Sequence, residues 1–272
     1  MVVSERLQTL RPHHRDTIER VLAQFSIEPE VRAIIVGGSV VKNEARDDSD
    51  VDVILIVTEE EYARREATSE LAFVDRELAT APTGYVDFKR QTLSFLQDAA
   101  QCGSEPTRNA FVSALCLWER DDSSEVTRLL PRIARYPEAE RQDKINSFMA
   151  QLAFNRHYFW REAQRENNAY LMARVQSETV LFGSRLILAH NRVLFPSHKR
   201  LKWAIERAPH KPEGFWNLAE AVLADATKEN MDAFCDAVEG FTEWNVSVNL
   251  MTRFVEDCET SWRCGGAALS DL

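Results

Sequence analysis

The sequence predicts a small α/β (α+β) domain with a mixed sheet, followed by an all-α helical bundle. Short apolar runs rich in β-branched residues, bounded by glycine or acidic residues, occur in the first part of the chain. Farther along, such runs give way to long segments in which apolar residues recur at three- and four-residue intervals, as in amphipathic helices. We therefore predict one domain over residues 1–125 and a second over residues 126–272.

Within the first domain, the apolar pattern predicts an opening helix and then strands that alternate with helices. The opening helix is expected over residues 12–27, because Ile18, Val21 and Phe25 recur at helical spacing. The expected strands cover residues 31–36, 52–57, 85–89 and 114–118, and the expected helices cover residues 59–75 and 91–101. The strand at residues 114–118 is expected at an edge of the sheet.

Within the second domain, the pattern predicts only helices. Long helices are expected over residues 137–166, 169–194 and 229–262, and shorter ones over residues 199–207 and 214–224. Prolines at positions 196, 209 and 212 separate the shorter helices, because proline cannot continue a helix. These lengths and short connections predict an antiparallel bundle.

Composition and charge limit the kinds of partner that this protein can have. The chain has 272 residues, 44% of them hydrophobic, and a net charge of −10, which is typical of a globular protein without a basic nucleic-acid-binding face. Five cysteines without a Cys-x-x-Cys pair predict free thiols in a reducing compartment. No apolar run approaches the length of a membrane span, so we expect a cytoplasmic protein that binds neither membranes nor nucleic acid.

Two aspartates open the second predicted strand, a short distance after a pair of glycines. Asp50 and Asp52 are two positions apart, so in a strand both side chains point to one face while Val51 points to the other. Like charges side by side repel each other and do not stabilise a sheet. A divalent cation removes that repulsion, since Mg²⁺ is commonly held by one or two carboxylates with phosphate oxygens and water. The pair therefore indicates a metal site.

At these residues the chain resembles the nucleotidyltransferase superfamily, which includes DNA polymerase β and the aminoglycoside nucleotidyltransferases. In that family a Gly-Ser turn is followed by Asp-x-Asp at the start of a strand, and a third acid lies on a later strand. Here the pattern falls on Gly38, Ser39, Asp50 and Asp52, and Asp87 supplies the third acid between two apolar residues. The resemblance covers less than half of the chain.

The resemblance implies which residues form the site. Asp50, Asp52 and Asp87 would hold two Mg²⁺ ions, and Asp87 would also accept the proton of the acceptor hydroxyl. The site residues expected to bind the triphosphate are Gly37, Gly38, Ser39 and Lys89. Glycines let the backbone turn sharply and approach phosphate oxygens, and Ser39 is expected to cap a short helix there. Lys89 shares a strand face with Asp87, so it could instead moderate the acidic cluster.

The resemblance also implies the activity. We expect a Mg²⁺-dependent enzyme that moves a nucleoside monophosphate, with AMP from ATP as the leading choice, to a hydroxyl of a small molecule. The layout of a catalytic core followed by a helical domain is similar to that of the aminoglycoside and lincosamide nucleotidyltransferases, in which the helical domain closes the cleft and helps to bind the acceptor. An antibiotic of those classes is therefore the leading acceptor. Whether the protein forms a homodimer is a separate question that the sequence leaves undecided.

Two alternative functions stay open at this point. One is an AMPylating nucleotidyltransferase of the antitoxin type, which modifies a protein side chain, although those enzymes usually lack a large helical half. The other is a non-catalytic module that binds nucleotide. Arg185 and His190 fit the Arg-x4-His spacing of the HEPN ribonucleases, but the usual polar residue after the arginine is replaced by Leu186. We therefore do not expect a ribonuclease, and we expect His190 to lie at the end of a helix.

Overall fold

The computed structural model of the protein describes residues 7–80, 84–121 and 124–264. These residues form two compact units, which divide between Arg135 and Tyr136. The division lies beyond residue 125, where the sequence pattern places the domain boundary. The reason is a helix over Glu125–Ile133, whose apolar side contributes to a hydrophobic core of the first unit.

A mixed sheet forms the centre of the first unit, as the sequence predicts, but it has five strands where the sequence pattern predicts four. Its strands are β1 (Val31–Val36), β2 (Val51–Val57), β3 (Ala72–Asp75), β4 (Val86–Gln91) and β5 (Leu115–Glu119). Their order across the sheet is β3-β4-β2-β1-β5, which places β5 at an edge. Strand β1 runs antiparallel to β2 and β5, and β3 runs antiparallel to β4, whereas β2 and β4 are parallel.

Helices pack on both faces of this sheet. They are α1 (Pro12–Phe25), α2 (Gly38–Val41), α3 (Glu59–Ala67), α4 (Leu93–Cys102), α5 (Glu105–Ala110) and α6 (Glu125–Ile133). Helix α1 buries Ile18 and Val21 against the face that carries Phe88. Helices α4 and α6 cover the other face through Leu96 and Ile133. Successive strand residues alternate between these faces, which explains how one short sheet supplies two hydrophobic cores.

The prediction of a single helix over residues 59–75 is wrong for the second half of that segment. Helix α3 ends at Ala67, and the chain then forms the edge strand β3. Ser69 adopts a left-handed conformation with φ of 59°, and the amide of Glu70 donates to the carbonyl of Arg65 over 2.7 Å. This pair of features is the Schellman helix ending, which commonly uses glycine. A serine in the left-handed position gave no sequence signal. Helix α5 was not predicted either.

The second unit is a helical bundle, as predicted. Its helices are α7 (Arg141–Phe154), α8 (Trp160–Arg165), α9 (Ala169–Asn191), α10 (Leu201–Arg207), α11 (Phe215–Ala224), α12 (Lys228–Glu239) and α13 (Leu250–Cys258). A π-helical turn over Asn155–Phe159 joins α7 to α8, and single 3₁₀ turns lie at Glu138–Glu140, His198–Arg200 and Ser261–Cys264. Among the described helices, none combines the length and apolar character that crossing a membrane requires.

The long helix expected over residues 229–262 is in fact two helices. Helix α12 ends at Glu239, and Gly240 follows as its C-terminal cap. The indole nitrogen of Trp244 then donates to the carbonyl of Val238 over 2.9 Å, which folds the connection back onto the end of α12. Asn245, with φ of 52°, turns the chain further before α13 begins. The apolar residues of the connection continue the helical spacing, so periodicity alone could not reveal the break.

Candidate metal and nucleotide site

The register between β2 and β4 brings two of the predicted acids together. Asp52 on β2 lies directly opposite Asp87 on β4. Residues that face each other across a parallel pair point to the same side of the sheet, and the neighbouring pair of Val51 and Val86 is buried on the opposite side. Both carboxylates therefore project from the face that α4 and α6 cover farther along the strands. Both are partly exposed to solvent.

Asp50 joins these two acids from the loop that leads into β2. The amide of Val51 donates to the carbonyl of Tyr85 over 3.1 Å, so the parallel pairing begins one residue after Asp50. Each of the three acids offers a carboxylate oxygen, and these oxygens lie within 4.8 Å of one another. Asp50, Asp52 and Asp87 are hereafter called the carboxylate cluster. Within the described part of the chain, no other group of three or more His, Cys, Asp and Glu side chains meets this condition.

The glycine turn after β1 packs directly against the cluster. Gly38 has φ of +69°, and a Cβ atom built on it would lie 1.8 Å from Oδ2 of Asp52. The amide of Gly37 donates to the carbonyl of Asp52 over 3.0 Å, which fixes the turn beside β2. Only glycine satisfies both the backbone conformation and the short approach to the carboxylate. The sequence motif thus has a steric basis in the contact between Gly38 and Asp52.

Ser39 lies inside α2 and does not cap it. The N-terminal cap of α2 is Gly37, and no side chain donates or accepts a capping hydrogen bond there. The expectation that Ser39 caps the short helix is therefore wrong, because the left-handed Gly38 already begins the helix. The carbonyl of Ser39 accepts from the amide of Glu44 over 3.0 Å, which closes the following loop. The Ser39 side chain is partly exposed one residue from Gly38.

Burial and like charge combine to make the cluster electrostatically unfavourable without a cation. Burial raises the pKa of Asp52, and the neighbouring charges of Asp50 and Asp87 raise it further, while Lys89 and Lys42 act in the opposite direction. Lys89 lies on β4 with its ammonium nitrogen 3.0 Å from Oδ2 of Asp87, and its side chain is 53% exposed. Lys89 therefore neutralises part of the cluster in this structure. Its predicted contact with a triphosphate stays a prediction.

Tyr85 is a further polar contact of the cluster. It precedes Asp87 by two residues on the same strand face, close to the carboxylate of Asp50. The charge of Asp50, together with hydrogen bonding of the phenol to that carboxylate, raises the pKa of Tyr85, so the phenol stays protonated. The alternating strand pattern placed Tyr85 on this face. The pattern could not reveal its contact with Asp50, which belongs to a different segment.

The remaining candidates from the sequence have structural contacts of their own. Lys42 donates to the carbonyl of Asn109 over 3.2 Å, which ties the loop after α2 to α5. In the second unit the guanidinium carbon of Arg185 lies 4.5 Å from the ring centroids of both Phe148 and Phe195. His190 packs against aromatic rings, at 5.1 Å from that of Phe241. These contacts agree with a structural role for Arg185 and His190.

The donor set of the cluster fits a small divalent cation. All of its ligand atoms are carboxylate oxygens, which Mg²⁺ and Mn²⁺ prefer over softer ligands. Burial is the main cause of the raised pKa of Asp52, and the charge of Asp50 adds to it, so a bound cation would stabilise the ionised carboxylate. Gly38 allows the glycine turn to approach Oδ2 of Asp52 more closely than any residue with a Cβ atom could. The residues present therefore suit a metal ion bound next to the glycine turn.

Comparison with known proteins supports the family assignment for this part of the chain. Residues 15–101 match the nucleotidyltransferase domain family. The matched range includes the carboxylate cluster, the glycine turn and Lys89, and it supports nucleotidyl transfer as the general activity. No curated protein matches the chain.

Among solved structures, the chain is similar to a nucleotidyltransferase-like protein from Exiguobacterium sibiricum. The two share 12% sequence identity with a TM-score of 0.48, and the alignment covers 91% of this chain and 78% of that chain. A likeness at this level says nothing about the substrate. The match of residues 15–101 is therefore the comparison that supports nucleotidyl transfer in general.

Proposed function

We propose that the protein is a Mg²⁺-dependent nucleotidyltransferase that transfers AMP from ATP to a hydroxyl group of a small molecule. In this reaction the acceptor oxygen forms a bond to the α-phosphorus, the bond from that phosphorus to the bridging oxygen breaks, and pyrophosphate leaves. The acceptor hydroxyl loses its proton. Such transfers require the reactants in line and charge compensation on the phosphate oxygens, and they require little covalent chemistry from the protein.

One observation carries the proposal: three carboxylates, from β2, β4 and the loop before β2, converge beside a glycine turn. Their oxygens lie within 4.8 Å of one another, and Gly38 lets the turn pack directly against Asp52. A purely structural sheet has no reason to gather like charges in this way. The match of residues 15–101 to the nucleotidyltransferase domain family gives independent support.

Each residue of the site has a role in this proposal. Asp50, Asp52 and Asp87 would hold the metal, which when bound compensates the charge of the phosphates and orients them. Asp87, at the side of the cluster nearer to β3, would accept the acceptor's proton directly or through water. The backbone of Gly37 and Gly38, with Ser39 and Lys89, would contact the triphosphate, since the glycine turn lies against the carboxylate cluster.

The acceptor is proposed to be a small cationic molecule, with aminoglycoside or lincosamide antibiotics as the leading classes. The net charge of −10 favours a cationic acceptor over an anionic one such as nucleic acid. The helical unit is proposed to bind this acceptor, because minimal protein-modifying relatives lack such a unit. We further propose a cytoplasmic location, which suits the free thiols of Cys102, Cys116, Cys235 and Cys258.

The proposal can be tested by following the α-phosphate of ATP. The protein is incubated with Mg²⁺, a panel of aminoglycosides and lincosamides, and ATP labelled on either the α- or the γ-phosphate. We expect the α-label, and not the γ-label, to appear on an acceptor, with release of pyrophosphate. Asp52→Asn should lower the rate at least about 100-fold, since loss of a direct metal ligand is more severe than loss of its supporting partner.

Asp48 offers a matched control for this experiment. It lies in the same loop as Asp50, its side chain is 58% exposed, and it pairs with Arg46 over 3.1 Å, away from the cluster. Asp48→Asn should retain the wild-type rate. A γ-label on the acceptor would identify a kinase, and full activity of Asp52→Asn would overturn the metal site. Transfer only to proteins, seen by intact-mass analysis, would favour the AMPylating alternative, and tight ATP binding without turnover would favour a nucleotide-binding module.

A further inference from the structure

Asp50 is held differently from the other two acids of the carboxylate cluster. Asp52 and Asp87 lie within β2 and β4, where the strand pairing fixes their backbone. Asp50 precedes the first residue of β2 and has no place in that ladder. A metal ligand in a loop needs other contacts to hold its geometry, because loops are more mobile than the strands they join. The residues on either side of Asp50 provide those contacts.

On the C-terminal side, Asp50 is anchored through Tyr85. The amide of Val51, the residue after Asp50, donates to the Tyr85 carbonyl over 3.1 Å. On the N-terminal side, the contact comes from α1: Nε2 of His14 lies 3.3 Å from the carbonyl oxygen of Ser49. That oxygen belongs to the peptide group that joins Ser49 to Asp50. The orientation of this planar peptide group therefore sets the position of the Asp50 Cα atom, from which the side chain extends.

His14 is suited to donate this hydrogen bond. A carbonyl oxygen can only accept, so the proton must be on Nε2. His14 is 3% exposed, and its burial lowers the pKa of the imidazole, so the neutral form with one ring proton is expected at neutral pH. With that proton on Nε2, the neutral ring donates to the carbonyl of Ser49. It also adds no second positive charge beside Arg11.

The position of His14 is itself fixed by the fold. Helix α1 buries Ile18 and Val21 in the core on one face of the sheet. Near its first turn, the amide of Thr80 donates to Oγ1 of Thr17 over 3.1 Å, and Oγ1 of Thr80 donates to the carbonyl of His13 over 2.7 Å. The imidazole therefore projects from a helix that is fastened at both its apolar side and its N-terminal turn.

We propose that His14 is a positioning residue for the metal site, which orients Asp50 by donating a hydrogen bond to the carbonyl of Ser49. This inference rests on the proposed function, because it assigns Asp50 to a bound cation. It adds a residue from α1 to a site that the sequence motif confines to the glycine turn and three acids. His14 acts through the backbone and does not contact the reacting groups.

The test measures Mn²⁺ binding to the full chain from the electron paramagnetic resonance signal of the free ion, which needs no acceptor. His14→Phe keeps a ring of similar size without the donor, and His14→Gln restores an N–H near the position of Nε2. We expect His14→Phe to weaken Mn²⁺ binding about tenfold or more, as is typical for groups that orient metal ligands. His14→Gln should stay within about threefold of wild type.

His13 provides the matched control. It adjoins His14 on α1, with ring centroids 4.2 Å apart, and its Nε2 has no hydrogen-bond partner among the described residues. His13→Gln should bind Mn²⁺ like wild type. Unchanged affinity in His14→Phe, or equal losses in His14→Phe and His14→Gln, would overturn the positioning role and leave the metal site standing. Full affinity in Asp52→Asn would overturn the metal site itself, and the positioning role with it.

A measurement on the wild-type protein keeps the proposal testable if His14→Phe does not fold. Long-range ¹⁵N–¹H correlation spectra distinguish the two neutral forms of an imidazole ring. We expect the proton of His14 on Nε2, and we expect its signals to shift when Mg²⁺ is added. A proton on Nδ1 would contradict the inference. Ring signals of His14 that do not respond to Mg²⁺, while the backbone amide signal of Asp52 does, would contradict it as well.

Discussion

Each of the two units gathers three carboxylates, but the two clusters are compensated in opposite ways. In the helical unit, Arg156 donates to acids on α12 at 2.9, 2.6 and 2.9 Å, and its side chain is only 12% exposed. Those acids are Asp232, Asp236 and Glu239. In the first unit, the described cation that contacts the carboxylate cluster is Lys89, which reaches Asp87 from an exposed position. In the helical unit an arginine guanidinium lies among the three carboxylates. In the first unit the contacting ammonium group belongs to an exposed lysine that pairs with one carboxylate.

This difference separates a structural ion pair from the proposed metal site. A guanidinium that is always charged and held by several carboxylates fastens the π-helical turn to α12 permanently. At the partly exposed Asp52, burial and the charge of Asp50 raise the pKa against the opposing charges of Lys89 and Lys42, so a removable cation can compensate the ionised carboxylate. The counter-ion, more than the number of acids, indicates which cluster serves function. The predictions below test this contrast.

The largest effect is expected for Gly38→Ala. The added Cβ would overlap Oδ2 of Asp52 and would require a left-handed alanine, so Asp52 must move out of the cluster. Nucleotidyl transfer and Mn²⁺ affinity should both fall about 100-fold or more. The measurements are the labelled-ATP assay and Mn²⁺ titration described above.

Gly37→Ala controls for the general effect of adding a methyl group to this turn. Gly37 has φ of −124°, and its Cβ would meet only the Ala110 carbonyl, at 3.4 Å. The amide that donates to Asp52 is retained in this variant. Activity should stay within a few-fold of wild type. Equal losses in both variants would show that the contact of Gly38 with Asp52 is not the cause.

An intermediate effect, on stability alone, is expected for Arg156→Met. The substitution leaves three carboxylates near one another without their central cation, and their partial exposure to solvent moderates the penalty. We expect the free energy of unfolding to fall by about 2 kcal/mol, below the value for a fully buried pair. Urea denaturation followed by tryptophan fluorescence reports this unit, which contains five of the six tryptophans.

Arg165 serves as the comparison for that measurement. Its side chain is 66% exposed and pairs with Glu162 and Glu166 on the surface of the same unit. Arg165→Met should leave the free energy of unfolding close to the wild-type value. Mn²⁺ affinity should be unchanged in both variants, because neither arginine belongs to the carboxylate cluster. A loss of Mn²⁺ binding in Arg156→Met would remove the distinction between the two clusters.

The smallest effect is expected for Asp52→Asn in the absence of metal, and it has the opposite sign. Because the pKa of Asp52 is raised in the folded protein, its contribution to stability is full below the ordinary value near 3.8 and is lost as pH rises through the folded pKa. An asparagine side chain does not ionise, so the metal-free variant should melt a few degrees higher than wild type at pH 8. The difference should shrink at pH 4.5.

Addition of Mg²⁺ should reverse the order at pH 8, since the ion stabilises only the wild-type site. Thermal unfolding followed by circular dichroism measures both conditions. A wild-type protein that melts above Asp52→Asn without metal at pH 8 would mean that the cluster is already compensated. The contrast with Arg156 would then disappear.

Much of the fold followed from local patterns. The alternation around Asp52 and Asp87 predicted strands with the acids on one face, and the helical spacing after residue 136 predicted a bundle. The errors fall where a local signal is ambiguous. Strand β3 directly follows a charged segment whose pattern predicts a helix. The connection between α12 and α13 contains apolar residues that keep the helical spacing. In these places tertiary contacts, such as Trp244 with Val238, determine the ends of elements.

The sequence by itself determined the chemical character of the site, because strand periodicity fixes which side chains share a face and glycine alone tolerates the turn after β1. Only the tertiary structure decided that Asp52 and Asp87 are partners, since the register of β2 and β4 depends on pairing between distant segments. It also brought His14 on α1 to the carbonyl of Ser49. Contacts of this kind produce no periodic pattern in a sequence, because each depends on how two distant elements pack against each other.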